Sequence, residues 1–219
     1  MRLIPDAAVS CRLNREFLGR AVRHLAQSGI SQFFDIGSGL PTRNNVHQVA
    51  QQVNPGAQIV YVDNDRIVTA HARALMQGDG VHVIEGDLRK PRDIIDSARG
   101  IIDFSQPVAV LMFAILHFIT DNEWPGELVS VFKEVMVPGS CLALSHITDD
   151  SVKPDVSEAA QETYRNASAP AVPRSHADIL KFFSSLTLLG PGLVLSRMAC
   201  PSVDGHPDYV VLRRRRHQG

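Results

Sequence analysis

The sequence predicts an α/β fold with a doubly wound, mostly parallel sheet of seven strands. Between residues 13 and 148, strand-like segments alternate five times with segments of helical period. The fourth such strand, PVAVLMF, is apolar on both faces, as strands of a covered parallel sheet are. The last two, GLVLSRM and DYVVLRR, are joined by the short link ACPSVDGHP, which favours an antiparallel pair. We therefore expect an antiparallel C-terminal hairpin.

The first half of the chain predicts three strands, each followed by a helix. Before them, residues 13–28 form an apolar stripe of helical period that Gly29 ends. The segment SQFFDIG predicts a buried strand, and Asn44 or Asn45 can cap the helix after it. AQIVYVDND predicts a second strand because it is rich in β-branched residues, and Asp65 can cap the next helix. VHVIEGD predicts the third strand.

The second half predicts two more parallel strands and then an irregular region. Pro91 suits the first position of a short helix after the third strand. A helix from about Trp124 to Met136 separates PVAVLMF from the fifth strand, SCLALSHI. Residues 149–174 are polar and contain three prolines, so they hold at most one short helix. Ser175 then begins a capping-box pattern for a further helix.

Composition indicates one ordinary globular domain over residues 1–219. Apolar residues make up 44% of the chain and charged residues 21%, and the net charge is −1. This charge gives no general attraction to nucleic acid, and no apolar run reaches the roughly 20 residues of a membrane span. The basic end RRRRHQG is typical of a solvated tail. Cys11, Cys141 and Cys200 are far apart and odd in number, which indicates no metal site and a reducing cytoplasm.

Acidic residues and glycines mark the ends of the first three predicted strands. Asp35 closes the first strand and is followed by Gly37 and Gly39, while Asp63 and Asp87 end the second and third. Ligands of doubly wound sheets bind beyond the carboxyl ends of the strands. Glycines let a ligand approach the backbone, and carboxylates accept hydrogen bonds from ribose hydroxyls or an adenine amino group. The pattern favours a nucleoside ligand.

The glycine turn speaks against a dinucleotide. The fingerprint G-x-G-x-x-G needs a third glycine where this chain has Thr42, after Pro41. That glycine normally lets a helix N-terminus approach a pyrophosphate. A ligand with an adenosine end and no pyrophosphate fits better, and S-adenosylmethionine is one. Asp35 suits the positive charges of its methionine part.

The stretch FFDIGSGLPTRNNVHQVAQQVNPGAQIVYVDNDRIVTAHARALM resembles the class I S-adenosylmethionine-dependent methyltransferases. More narrowly, it resembles an actinobacterial methyltransferase family formerly catalogued as a domain of unknown function. The resemblance continues through VIEGDLRKP, VLMFAILHFITD and VPGSCLALSHIT, and covers most of residues 13–148. It implies a Rossmann-like fold of the class I methyltransferase type, with S-adenosyl-L-homocysteine as the product of the cofactor.

The resemblance implies cofactor-binding residues after each of the first four strands. The first turn would surround the methionine part with Asp35, Gly37, Ser38 and Gly39. The second would place Asp63 on the ribose and Asn64 beside the adenine, which would be flanked by Asp87 and Leu88. The exit of the fourth strand, near the sulfonium, would be lined by Phe113, Ala114 and His117.

The segment before the first helix departs from the family pattern, since only about twelve residues precede Leu13. Family members carry a longer segment that helps cover the cofactor and the acceptor. We expect a shortened lid, or a site completed by a second subunit, in a homodimer, or by residues 149–174. Residues 149–190 as a whole are expected to form the acceptor and lid region.

Two functions are compatible with these residues. The first is transfer of a methyl group to a small-molecule acceptor, with a role in secondary metabolism, and His117 is then the best placed general base. A packed histidine that shapes the cofactor pocket is the other interpretation of His117. The second function is that of a non-methylating homologue, which binds the cofactor as a regulatory or scaffold subunit or catalyses another step such as cyclisation.

Overall fold

The computed structural model describes residues 7–148, 150, 171–190, 192–195 and 208–215. Helices and strands alternate along this part of the chain, and two short 3₁₀ turns, Leu116–Phe118 and Asp121–Glu123, follow the fourth strand. In chain order the elements are α1 (Ala7–Gln27), β1 (Gln32–Ile36), α2 (Val46–Val53), β2 (Gln58–Asp63), α3 (Arg66–Leu75), β3 (Val81–Glu85), α4 (Pro91–Ala98), β4 (Ala109–Phe113), α5 (Pro125–Glu134), β5 (Cys141–Ile147), α6 (His176–Lys181), β6 (Leu186–Leu188), β7 (Val194–Leu195) and β8 (Asp208–Arg215).

Five parallel strands form the body of the sheet, in the order β3-β2-β1-β4-β5. The order reverses between β1 and β4, where Phe33 of β1 pairs with Ala109 of β4 and with Ile59 of β2. This reversal is the position at which doubly wound sheets open a crevice for ligands. The Rossmann-like, parallel character that the sequence predicts is confirmed.

The edge of the sheet beyond β5 corrects the prediction of seven strands ending in a hairpin. β8 runs antiparallel to β5, and both β6 and the two-residue β7 pair antiparallel with β8. In chain order β6 comes before β8, but in the sheet β8 lies between β5 and β6, and β6 is at the outer edge. Local pattern could not predict this, because β6 has only three residues and pairs with a distant segment, from Leu186 with Arg215 to Leu188 with Arg213. The link ACPSVDGHP, residues 199–207, lies outside the described part of the chain.

Two apolar cores lie on opposite faces of the sheet. Alternate strand residues such as Phe34 and Val60 pack with α4, α5 and α6 on one face. Their neighbours Phe33 and Tyr61 pack with α1, α2 and α3 on the other face. Asp35 has the same parity as Phe33, so it lies on the face that α1 covers, at the carboxyl end of β1.

The first helix is longer than the sequence predicts. It begins at Ala7, whereas the apolar stripe predicted a start at residue 13. The additional turns precede the periodic stripe, so apolar periodicity alone could not predict them. Among the described helices, none combines the length and the apolar character that crossing a membrane requires.

Candidate functional site

The turn after β1 brings bare backbone to the crevice. Gly37 and Gly39 have φ values of +75° and +65°, a region that favours glycine. The N–H groups of Gly37 and Ser38 both donate to the carbonyl of Val62, at 2.8 and 3.1 Å. A Cβ at Gly37 would lie 2.6 Å from Cγ1 of Ile115, whereas one at Gly39 would meet no atom within 4 Å. Gly37 is therefore needed for packing, while Gly39 leaves open space beside the backbone.

Asp63 joins this turn to the start of α3. Its Oδ2 accepts the N–H of Gly39 at 2.9 Å, and its Oδ1 accepts the N–H of Asp65 at 3.0 Å. Asp63 is buried, yet each carboxylate oxygen keeps a second lone pair for a further donor. The sequence predicted a ribose acceptor here, and the two backbone bonds add a structural role that local pattern did not indicate.

Asp35 is a buried carboxyl beside this turn. It is 3% exposed and lies in register with Tyr61 of β2 and Leu111 of β4. Burial raises the pKa of Asp35 to about 7, with the nearby charge of Arg15 opposing the shift and that of Asp63 adding to it. A cation placed beside Asp35 would stabilise its charged form.

The residues predicted around the adenine lie in different environments. Oδ1 of Asp87 accepts the N–H of Arg89 at 3.0 Å, and the guanidinium of Arg89 pairs with Glu123. The N–H of Gly86 donates to the carbonyl of Asp63 at 2.9 Å, which sets the ends of β2 and β3 side by side. Leu88 is buried in the core, whereas Asn64 is exposed at the surface.

The exit of β4 lies against α1. The ring of Phe113 stacks on that of Phe17 at a centroid distance of 5.5 Å. Ala114 has a φ of +52°, which is strained for a residue with a side chain. Its N–H donates to Oγ of Ser145 at 2.9 Å, and that hydroxyl donates to Oδ1 of Asn14 at 2.6 Å. The strained backbone is therefore held by β5 and by α1 together.

His117 is buried with one ring nitrogen unpaired. Its Nδ1 is the single buried side-chain nitrogen or oxygen, among the described residues, that has no hydrogen-bond partner. Burial lowers the pKa of His117 to about 3, and the charges of His146 and Arg174 act in the same direction. The ring meets that of His146 edge to face at 5.6 Å. His117 is thus neutral at pH 7, and its Nδ1 has no partner within the described residues.

Arg174 organises the loop around His117, a role that no sequence pattern predicted. Its guanidinium donates to the carbonyls of Leu116 and Ile119, at 3.0 and 2.8 Å, and pairs with Asp121. The N–H of Val172 also donates to the carbonyl of His117, at 2.7 Å. An isolated arginine in a polar, proline-rich stretch carries no signal of contacts more than 50 residues away.

The predicted residues divide into two groups in space. Asp35, Gly37, Gly39 and Asp63 meet at the carboxyl ends of β1 and β2, and Ile115 of the loop after β4 packs against Gly37. Asp87 and Leu88 follow the end of β3, and Phe113, Ala114 and His117 lie at the exit of β4. A separate cleft of about 450 Å³, lined by residues from the ranges 121–126 and 173–182, lies beside Arg174 on the face covered by α5 and α6.

Comparison with known proteins gives one family. The sequence matches the family described as S-adenosyl methyltransferase over residues 1–208. A crystal structure of a DUF574 family protein from Streptomyces avermitilis MA-4680 is 34% identical, with a TM-score of 0.90, over 97% of this chain and 86% of that one. A crystal structure of a protein from Thermobifida fusca YX is 33% identical, with a TM-score of 0.88, over 98% and 84% of the two chains.

More distant structures share the fold alone. Human N-acetylserotonin methyltransferase, crystallised with SAM, is 16% identical, with a TM-score of 0.57, over 91% of this chain and 52% of that one. No curated protein sequence matches the chain.

Proposed function

The chain belongs to the S-adenosyl methyltransferase family, and from that premise we propose that it transfers a methyl group to a small-molecule acceptor in secondary metabolism. S-adenosylmethionine is the cofactor of this family, and it supplies an electrophilic methyl group on a sulfonium. In this proposal residues 1–219 form one cofactor-binding domain. S-adenosyl-L-homocysteine is the product that remains after transfer.

The arrangement of Asp35 beside the glycine turn carries the proposal. Asp35 is a buried carboxyl with a pKa raised to about 7 that forms no ion pair within the described residues, and the methionine part of the cofactor offers an ammonium group. Open space beside Gly39 leaves room for that part of the ligand against the backbone. The residues at the turn therefore fit S-adenosylmethionine.

The remaining predicted residues take roles around the nucleoside. Asp63 has lone pairs left for the two ribose hydroxyls, and its bonds to two N–H groups fix its orientation. Asp87 and Leu88 flank the adenine, with Asn64 at the outer rim. Ser38 lies between the two glycines on the methionine side.

Methyl transfer requires that the nucleophile, the methyl group and the sulfur are aligned and that water is excluded. Phe113, Ala114 and His117 line the position expected for the sulfonium. A base works best when its pKa lies near the working pH, so a pKa lowered to about 3 favours the pocket-shaping role of His117 over that of a general base. We propose that the neutral ring uses Nδ1 to bind ligand or acceptor.

The same histidine gives the non-methylating alternative its support. If His117 is not a base, an acceptor that must lose a proton finds no assistance from it. A cofactor-binding homologue without transfer activity, acting as a regulatory or scaffold subunit or in another reaction, needs no such assistance. The two functions therefore predict the same cofactor site and differ in the transfer of the methyl group.

Residues 149–190 are proposed to form the acceptor and lid region. Residues 149 and 151–170 of this range lie outside the described part of the chain. The described part contacts the His117 loop through Val172 and Arg174, which supports a position close to the reacting groups. A homodimer that completes the site is a separate proposal, and light scattering of the purified protein tests it.

Calorimetric titration with S-adenosylmethionine and S-adenosylhomocysteine tests the cofactor site. We expect both to bind, and absence of binding at millimolar concentration would contradict both functions. Incubation with S-adenosylmethionine that carries a labelled methyl group, together with panels of small acceptors, then distinguishes them. Label in an acceptor supports the methyltransferase, whereas tight cofactor binding without transfer across the panels favours the alternative.

A further inference from the structure

Arg15 belongs to the part of α1 that contacts the ends of β4 and β5, next to the candidate cofactor site. Its neighbour Asn14 accepts a hydrogen bond from Ser145 near the end of β5, and Phe17 stacks on Phe113 at the end of β4. These two contacts fix the stretch 14–17 above the carboxyl ends of β4 and β5. Asp35 lies on the same face of the sheet, one strand away from Phe113.

The guanidinium of Arg15 differs from those of the other arginines on α1. Arg20 lies over the ring of Phe17 at 5.8 Å, Arg23 donates to Gln52 at 3.3 Å, and Arg12 is exposed. Arg15 is half-buried, and it makes no hydrogen bond or ion pair with any other residue in the described part of the chain. A guanidinium whose donors have no partner among the described residues is available to pair with a bound anion.

Opposite charges therefore lie near one another without pairing directly in the described residues. Asp35 and Arg15 are close enough for the arginine to influence the carboxyl, but they form no ion pair within 4.0 Å in the described residues. An α-amino acid group carries one ammonium and one carboxylate on a single carbon. Such a group can lie between the two side chains and pair with each.

We propose that Arg15 binds the α-carboxylate of the cofactor's methionine part while Asp35 binds its α-ammonium group. A guanidinium pairs with a carboxylate through charge-assisted hydrogen bonds that can be bidentate. Arg15 is then a specificity-determining residue, because it favours nucleosides that carry an intact amino acid. This inference rests on the proposed function, since it assigns a further residue to the same site.

Calorimetry with two ligands that differ in the carboxylate tests the inference. The ligands are S-adenosylmethionine and its decarboxylated analogue, which keeps the adenosine, the sulfonium and the ammonium. We expect the wild-type protein to prefer S-adenosylmethionine. Arg15→Gln should weaken its binding by roughly 10- to 100-fold and change the affinity for the analogue much less.

Two further variants make the result specific to Arg15. Arg15→Lys keeps the charge and should restore part of the preference, while Arg12→Gln removes an exposed charge from the same helix and should change neither affinity. Circular dichroism checks that each variant is folded. If Arg15→Gln does not fold, Arg15→Lys carries the test, because loss of the bidentate geometry should still reduce the preference.

The outcomes separate this inference from the proposed function. Equal wild-type affinities for the two ligands, or an equal loss for both in Arg15→Gln and Arg15→Lys, would overturn the role of Arg15 while the cofactor site stands. If the wild-type protein binds neither ligand, the proposed function itself fails. Loss of the preference in the Arg15 variants alone supports the inference.

Discussion

Nη1 of Arg174 lies 2.9 Å from Nε2 of His146, and this contact joins the segment before α6 to the end of β5. Nδ1 of His146 lies 2.7 Å from the carbonyl of Ile147, to which it donates, so Nε2 is left to accept from the guanidinium. The ring of His146 in turn packs against that of His117. A side chain well beyond His117 in the sequence therefore fixes the surroundings of the candidate site.

Loss of the Arg174 guanidinium should destabilise the protein. Arg174→Met leaves the carbonyls of Leu116 and Ile119 without their donor, and we expect the free energy of unfolding to fall by about 3 kcal/mol. Urea unfolding measures this change in the free energy of unfolding. Lys181→Met is the control, because it removes an exposed ion pair and should change stability by less than about 0.5 kcal/mol. Equal effects of the two substitutions would contradict this network.

The two glycines of the turn should respond differently to alanine. Gly37→Ala brings a Cβ to 2.6 Å from the side chain of Ile115, so crowding adds to the strain of a positive φ and we expect a loss of about 3 kcal/mol. Gly39→Ala has the strain alone and should cost about 1 kcal/mol. Chemical denaturation measures both.

Ile115→Ala checks the cause of the Gly37 effect. In this background Gly37→Ala should cost at least about 1 kcal/mol less, because Cγ1 and Cδ1 of Ile115, which lie nearest to the added Cβ, are gone and only the Cβ of residue 115, at 2.9 Å, remains. Strictly additive effects would show that crowding by Ile115 is not the reason.

Periodicity and strand ends predicted much of this fold. The buried strands around Phe33 and Tyr61 and the acidic residues at their carboxyl ends follow from patterns within a short stretch of sequence. Parallel strands turn such patterns into a shared site, because their carboxyl ends lie at one edge of the sheet. Hence the sequence alone predicts Asp35 and Asp63 as neighbours.

Contacts between distant segments could not be predicted in this way. The bond of Gly39 to Asp63 and the network of Arg174 depend on how loops approach one another, which apolar periodicity does not encode. The place of β8 between β5 and β6 is also set by long-range pairing. The position of Arg15 near Asp35 likewise follows only from the packing of α1 against the sheet.

The raised pKa of Asp35 should make stability depend on pH without cofactor. Between about pH 3.8 and 7 the folded protein holds a proton on Asp35 that the unfolded chain has lost. This contribution is complete below the unfolded pKa and is lost as the pH rises through the folded value. The free energy of unfolding of the wild type, relative to Asp35→Asn, should therefore fall with pH in this window by up to about 1.4 kcal/mol per unit.

Comparison of the two proteins at each pH separates Asp35 from the histidines. Burial lowers the pKa of His117 to about 3 and that of His146 to about 4. The contribution of each histidine to the free energy of unfolding is therefore lost as the pH falls below about 6.5. These contributions are present in wild type and variant alike and cancel in the difference. A difference that stays constant from pH 4 to 7 would contradict the raised pKa.

Asp63 should matter for cofactor binding and for the turn, and measurements of ligand affinity and of stability separate these roles. Asp63→Asn keeps one oxygen for a backbone N–H but removes the charge, whereas Asp63→Ala removes every acceptor. We expect Asp63→Ala to weaken binding of S-adenosylhomocysteine by about 1–3 kcal/mol, because two ribose hydroxyls lose a buried acceptor.

Asp65→Asn, which changes an exposed helix cap next to the site, is the control and should leave the affinity close to that of wild type. Calorimetry gives the affinities and thermal unfolding gives the stabilities. If Asp63→Ala lowers stability but binds the ligand as tightly as Asp65→Asn does, Asp63 holds the turn and does not contact the ribose.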